Sequence, residues 1–159
     1  MSTPPSLGFD QQVTLFLATC RTATLATVGP GGDPHAANVQ YAQDNDLTLY
    51  WVSSPNSQHS QDLAAHPGAA ITVYAHDDQA EHIHGLQLRG TVTEIDDSDD
   101  AEWNRVWELY TAKFAFIASN PQLKSAVEQQ SFYAFTPDWL RWIDNREHFG
   151  YKVEKSLKP

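Results

Sequence analysis

The stretch Trp51 to Ala75, WVSSPNSQHSQDLAAHPGAAITVYA, reads as the end of a strand, a hydroxyl-rich loop, a short helix and a second strand. Asn56 or Ser57 can cap the helix, and His66, Pro67 and Gly68 end it, because proline cannot continue a helix and glycine tolerates the turn that follows. The β-branched run Ala69 to Ala75 then reads as a strand. At the helix start, free backbone N–H groups, the helix dipole and the hydroxyls of Ser53, Ser54 and Ser57 form a place that suits an anion, phosphate above all. Plain capping uses the same residues, so the local sequence leaves both readings open.

Working outward, NDLTLYWVS (Asn45 to Ser53) supplies the strand that feeds this loop, and its unbroken apolar character predicts burial on both faces. Upstream, TATLATV (Thr22 to Val28), the turn GPGGDP and HAANVQYA (His35 to Ala42) read as strand, turn, strand. Asp10 is placed to cap a first helix whose apolar stripe is Val13, Phe16, Leu17 and Cys20. Downstream, GLQLRGTVTEI (Gly85 to Ile95) is a long strand with Gly90 as a kink or bulge. The acidic DDSDD then opens a helix with Trp103, Val106, Trp107, Tyr110 and Phe114 on one face. Asn120 and Pro121 end that helix and start a short one. SFYAF and WLRWI are predicted as two further strands separated by Pro137. Six to seven short antiparallel strands with few helices predict a mainly β architecture, a barrel or a sandwich.

The chain has 159 residues, long enough for one domain with a sizeable core, and a single domain over residues 1–159 is expected. Twenty acidic against ten basic side chains give a formal charge of -10, which repels phosphate backbones and anionic membrane surfaces. Nucleic acid and membrane are therefore not expected as partners. One cysteine, Cys20, forms no intrachain disulfide and reads as core. With neither a basic leader pattern nor a long apolar run, a cytoplasmic location is expected.

Chemistry-bearing motifs are few. His76, His82 and His84 with Asp77, Asp78 and Glu81 resemble a metal set, but their spacing fixes no third ligand, and a solvated polar loop is the better reading. No GxSxG, HExxH, Walker A or GxGxxG pattern is present.

In their order, the pieces quoted above resemble the pyridoxamine 5'-phosphate oxidase-like, FMN-binding split barrels from Phe16 to Lys152. TATLATV with GGDPHAANVQYA is similar to the opening hairpin, and LTLYWVSS to the next strand. SQHSQDLAAHPGAAITVYA resembles the helix and strand that follow, and FYAFTPDWLRWIDN the closing strand. GLQLRG, YTAKF and WIDNREHFGYK resemble a small branch of these proteins rather than the oxidase itself.

The resemblance implies a split β-barrel, a homodimer with FMN at the interface, and a small-molecule substrate that exchanges electrons with the flavin. It places the ring along Ala36, Ala37, Asn38, Val39 and Gln40. Val52 and Ser53 fall at the strand end, Ser57 and His59 at the phosphate, and Trp51 or Trp142 would shield the ring. Where the oxidase carries Arg and Lys, this chain has Ala37, Ala42, Gln58 and His59, so charge-assisted bonds worth about 1.5–3 kcal/mol each are lost. The basic residues that hold the oxidase's substrate phosphate also lack a match near the C-terminus. The competing expectation is a non-catalytic split-barrel dimer that binds haem, another tetrapyrrole or no ligand.

Overall fold

The computed structural model describes residues 7–158; the expected domain over 1–159 includes residues 1–6 and 159, which lie outside the described residues. Helix α1 (Phe9–Thr19) precedes the hairpin β1 (Thr22–Val28) and β2 (Pro34–Gln40), then β3 (Ala42–Gln43) and β4 (Leu49–Ser53). Helix α2 (Gln58–Ala65) leads to β5 (Gly68–Tyr74) and β6 (His84–Glu94). After α3 (Asp100–Lys113), α4 (Ala115–Ser119) and α5 (Pro121–Glu128) come the long β7 (Ser131–Asp144) and β8 (Lys152–Ser156).

The strands form one sheet in the order β2-β1-β5-β6-β7-β4-β3, with β8 added on β7. Every pairing is antiparallel. The two ends of this path, β2 and β3, are separated in sequence by Tyr41 alone, so the chain itself bends the sheet round into a split barrel. Tyr41 is fully buried, its hydroxyl donates to Leu17 O at 2.8 Å, and its N–H donates to Arg21 O at 3.1 Å.

Side-chain alternation sorts the core into two layers. Leu25, Val39, Leu49, Trp51, Ile71, Leu88 and Phe135 fill the barrel together with Val13, Phe16 and Leu17 of α1. Tyr50, Phe132 and Ala134 point the other way, into a second core with Val106, Tyr110 and Phe114 of α3 and Ile117 of α4. Burial of β4 on both faces follows directly: Leu49 and Trp51 serve one core, Tyr50 the other. Each large side chain enclosed in this way contributes roughly 1.5–3 kcal/mol.

Three local expectations are corrected. Gly8, not Asp10, caps α1, and Asp10 sits in the first turn, where Lys155 pairs with it at 2.7 Å. Helix α3 ends at Phe114 rather than at Asn120, because the Phe114 side chain turns into the second core; Asn120 and Pro121 start α5 as expected. SFYAF and WLRWI are one strand, β7, which runs through Pro137. There the β6–β7 register shifts between Arg89, which pairs with Trp139, and Gly90, which pairs with Pro137, so Asp138 is the extra residue of a bulge beside the proline, a place where a strand tolerates one. The polar β8 was not foreseen.

Candidate functional site

β1 and β4 end, and β2 begins, at the same end of the barrel, and α2 lies across that mouth. Among the described residues the far edge of β2 pairs with no strand, and β3 pairs with β4 only at Tyr50 and Leu49. Residues 34–40 of β2 and 51–53 of β4 approach across the resulting split without a ladder between them. Their backbone N–H and C=O groups are therefore available to a flat ligand, as sheet edges generally are.

Side-chain direction divides the expected ring-binding residues. Ala36 and Asn38 lie on the exposed outer face, and Asn38 Oδ1 accepts from Thr24 Oγ1 at 3.0 Å. Ala37 and Val39 face the barrel, with Val39 in its core. What these residues share is the edge of β2, so backbone contact is the form of binding that the strand offers.

At the mouth, Ser53, Ser57 and His59 are brought together. His59 Nε2 lies 2.8 Å from Ser53 Oγ and 3.1 Å from Ser57 Oγ. Ser57 caps α2, accepting from the Ser60 N–H and donating to Ser60 Oγ at 2.8 Å. Gln61 N–H is taken by Ser57 O, which leaves the N–H groups of Gln58 and His59 without an internal partner among the described residues. Burial pushes the His59 imidazole below its ordinary range, with the nearby Asp62 carboxylate opposing this, so the ring is uncharged near neutrality. The two N–H groups and the Ser53 hydroxyl suit a phosphate ester in hydrogen bonding, but the Ser57 hydroxyl is already given to Ser60 Oγ and the set supplies little positive charge.

The remaining expected residues stand differently. Trp51 is fully enclosed in the barrel, stacked on Tyr133 at 5.8 Å, and cannot shield a ligand with its face; its Nε1 is buried with no hydrogen-bond partner among the described residues. Val52 packs toward the helix-covered core. Trp142 sits at the opposite end of β7, against Phe16 and His84, so a single protomer does not bring it to Ser57. It borders a cavity of about 380 Å³ with Cys20 and Arg146. In the histidine loop, His82 pairs with Asp77 at 3.2 Å and His76 with Asp78 at 3.8 Å, all near the surface.

One pair escaped the sequence reading. Asp62 of α2 is fully buried at the mouth and accepts from Thr27 Oγ1 at 2.7 Å, His35 Nδ1 at 2.7 Å and Gln58 Nε2 at 2.9 Å. Burial opposes its charge, yet the hydrogen bonds from Gln58, Thr27 and His35 bring the carboxyl down to about 2. A carboxylate beside Leu63 on the apolar side of a short helix was the available signal; the partners are 27 and 35 residues away in the chain.

The family model for pyridoxamine 5'-phosphate oxidase matches residues 9–143. The chain belongs to that family. Its similarity to the pyridoxine/pyridoxamine 5'-phosphate oxidase of Polynucleobacter asymbioticus is 35% identity over 94 residues, which is 57% of this chain and 44% of that protein. In solved structures the fold is similar to a haem-binding protein from Mycobacterium smegmatis, with TM-score 0.76 and 19% identity over 98% of this chain and 60% of that one. It is also similar to HutZ, the haem storage protein of Vibrio cholerae, with TM-score 0.69 and 18% identity over 82% and 91%. At these identities the structural likenesses show the split-barrel fold. No helix among the described residues is long and apolar enough to cross a membrane.

Proposed function

We propose that the protein is a homodimeric FMN-binding flavoprotein that passes electrons from a reduced donor to a small acceptor. The observation that carries this is the open split: the unpaired edge of β2 faces the end of β4, and the start of α2 stands at its mouth with free N–H groups. When bound, the isoalloxazine supplies the redox chemistry. The backbone edge of Ala36 to Gln40 would align the ring. Ser53, Ser57 and the first N–H groups of α2 would hold the phosphate, and a partner protomer's Trp142 would limit solvent.

A second reading, a non-catalytic dimer that takes haem or another tetrapyrrole, draws on the functions named for the two structural neighbours and on the uncharged His59. The absorption spectrum of the purified protein, before and after titration with FMN and with haemin, separates the two. A two-banded flavin spectrum and saturable FMN binding are expected. A Soret band with no response to FMN would transfer the assignment to the second reading. Replacing Ser57 and His59 together with Ala is expected to weaken FMN binding; unchanged affinity would move the phosphate elsewhere.

A further inference from the structure

The pairing of His35 and Asp62 has a structural use, since it ties α2 to the β1–β2 hairpin. Its geometry goes further. Asp62 is ionised across the physiological range and an ionised carboxylate only accepts, so the hydrogen between the two side chains sits on His35 Nδ1. With the proton placed there, Nε2 is the nitrogen that can act as an acceptor. Nε2 has no partner among the described residues, and the His35 side chain is 40% exposed whereas Asp62 is 0%. The ring is also held from behind: a Cβ on Gly29 would lie 3.1 Å from His35 Cε1 and 3.5 Å from Asp62 Oδ1, so backbone packs closely against the pair. His35 is the second residue of β2, on the face of the strand it shares with Ala37 and Val39, directly opposite Thr27.

We infer that His35 Nε2 accepts a hydrogen bond from an N–H or O–H of the planar heterocycle held along β2, and that Asp62 is the positioning residue that fixes the tautomer. This rests on the flavin reading above and narrows it. A flavin presents such donors on its pyrimidine ring and its ribityl chain, whereas the carboxylates of a tetrapyrrole edge present acceptors. Carboxylate-oriented imidazoles are used in this way wherever the free nitrogen must have one fixed role.

The test uses FMN and riboflavin as probes, with affinity measured by quenching of flavin fluorescence. His35→Asn keeps a donor to Asp62 but has nothing in place of Nε2. Asp62→Asn leaves the ring in place and permits the opposite tautomer. Each is expected to weaken both probes by about three- to tenfold, the loss of one hydrogen bond. The double variant should lose no more than either single one, because the two residues act as a unit. The blue absorption band of the bound flavin should also shift in His35→Asn. Unchanged affinity and band position in a folded His35→Asn protein overturn the inference while leaving the flavin reading intact. A wild-type protein that binds neither probe overturns both. Should Asp62→Asn not fold, His35→Asn decides alone.

Discussion

His59 Nε2 lies 2.8 Å from Ser53 Oγ, so the first turn of α2 is fastened to the last residue of β4 across the barrel mouth. The contact satisfies the imidazole and the hydroxyl with each other. A phosphate arriving there has to replace this bond with its own.

Ser57→Ala removes the cap of α2 and with it the acceptor for Ser60 N–H. A loss of about 0.5–2 kcal/mol is expected from urea denaturation of the ligand-free protein. A change within experimental scatter would mean that Asn56 or a shifted first turn takes over the cap.

Because burial keeps the His59 ring uncharged near neutrality, a bound phosphate dianion would draw a proton onto it. FMN affinity should therefore rise as the pH is lowered from about 8 to about 6. Riboflavin, without the phosphate, should show no such rise. Equal pH profiles for the two probes count against His59 as the phosphate's partner.

Acid stability should follow Asp62. Its folded pKa is depressed from 3.8 to about 2, so its stabilising contribution is complete above the unfolded value and is lost as the pH falls through that window toward about 2. His59 has the opposite protonation problem with the same outcome: a folded pKa below 6.5 means that the unfolded chain takes up protons first, and stability declines as the pH drops below that value. Melting temperature against pH should show both declines in the wild type, and Asp62→Asn should lack the lower one. An identical acid limb in the variant would assign that limb to other carboxylates.

Gly90 stands where a Cβ would overlap the Thr136 carbonyl oxygen and lie 2.8 Å from Pro137 Cα. Gly90→Ala should cost about 1–3 kcal/mol through overpacking at the bulge. A melting temperature like that of the wild type would show that β7 can bulge elsewhere.

The sequence was most readable where one residue does one job. Ser57 is a cap followed by an apolar helix face, and Gly90 interrupts a long alternating strand; both were legible from local pattern. β7 was misread at Pro137 because the bulge that accommodates a proline is a property of the pairing with β6, which no local window contains. β8 was missed because Lys152 to Ser156 is almost wholly exposed and offers hardly any hydrophobic alternation. At the site, Ser53, Ser57 and His59 are close in sequence and were found together. Trp51 and Trp142 were placed by analogy, and the barrel puts one inside its core and the other at its far end. His35 and Asp62 meet only after the β1–β2 hairpin and α2 have packed, so their pairing is a product of the fold.

Tyr41 joins β2 to β3 and is pinned by Leu17 and Arg21, while Lys113 Nζ sits 4.1 Å from the centre of its ring. The two walls of the split thus meet at a fixed vertex, and beyond it no ladder joins β2 to residues 51–53 of β4. At about 3.3 Å per residue, the wall from His35 to Tyr41 is roughly 20 Å deep. Were a flat molecule to enter between the walls, this fixed corner would limit how far they part, and a bulky one would stop at the lip. Selection for planarity would then be a mechanical property of the vertex, exercised before any polar group at the mouth has formed a bond.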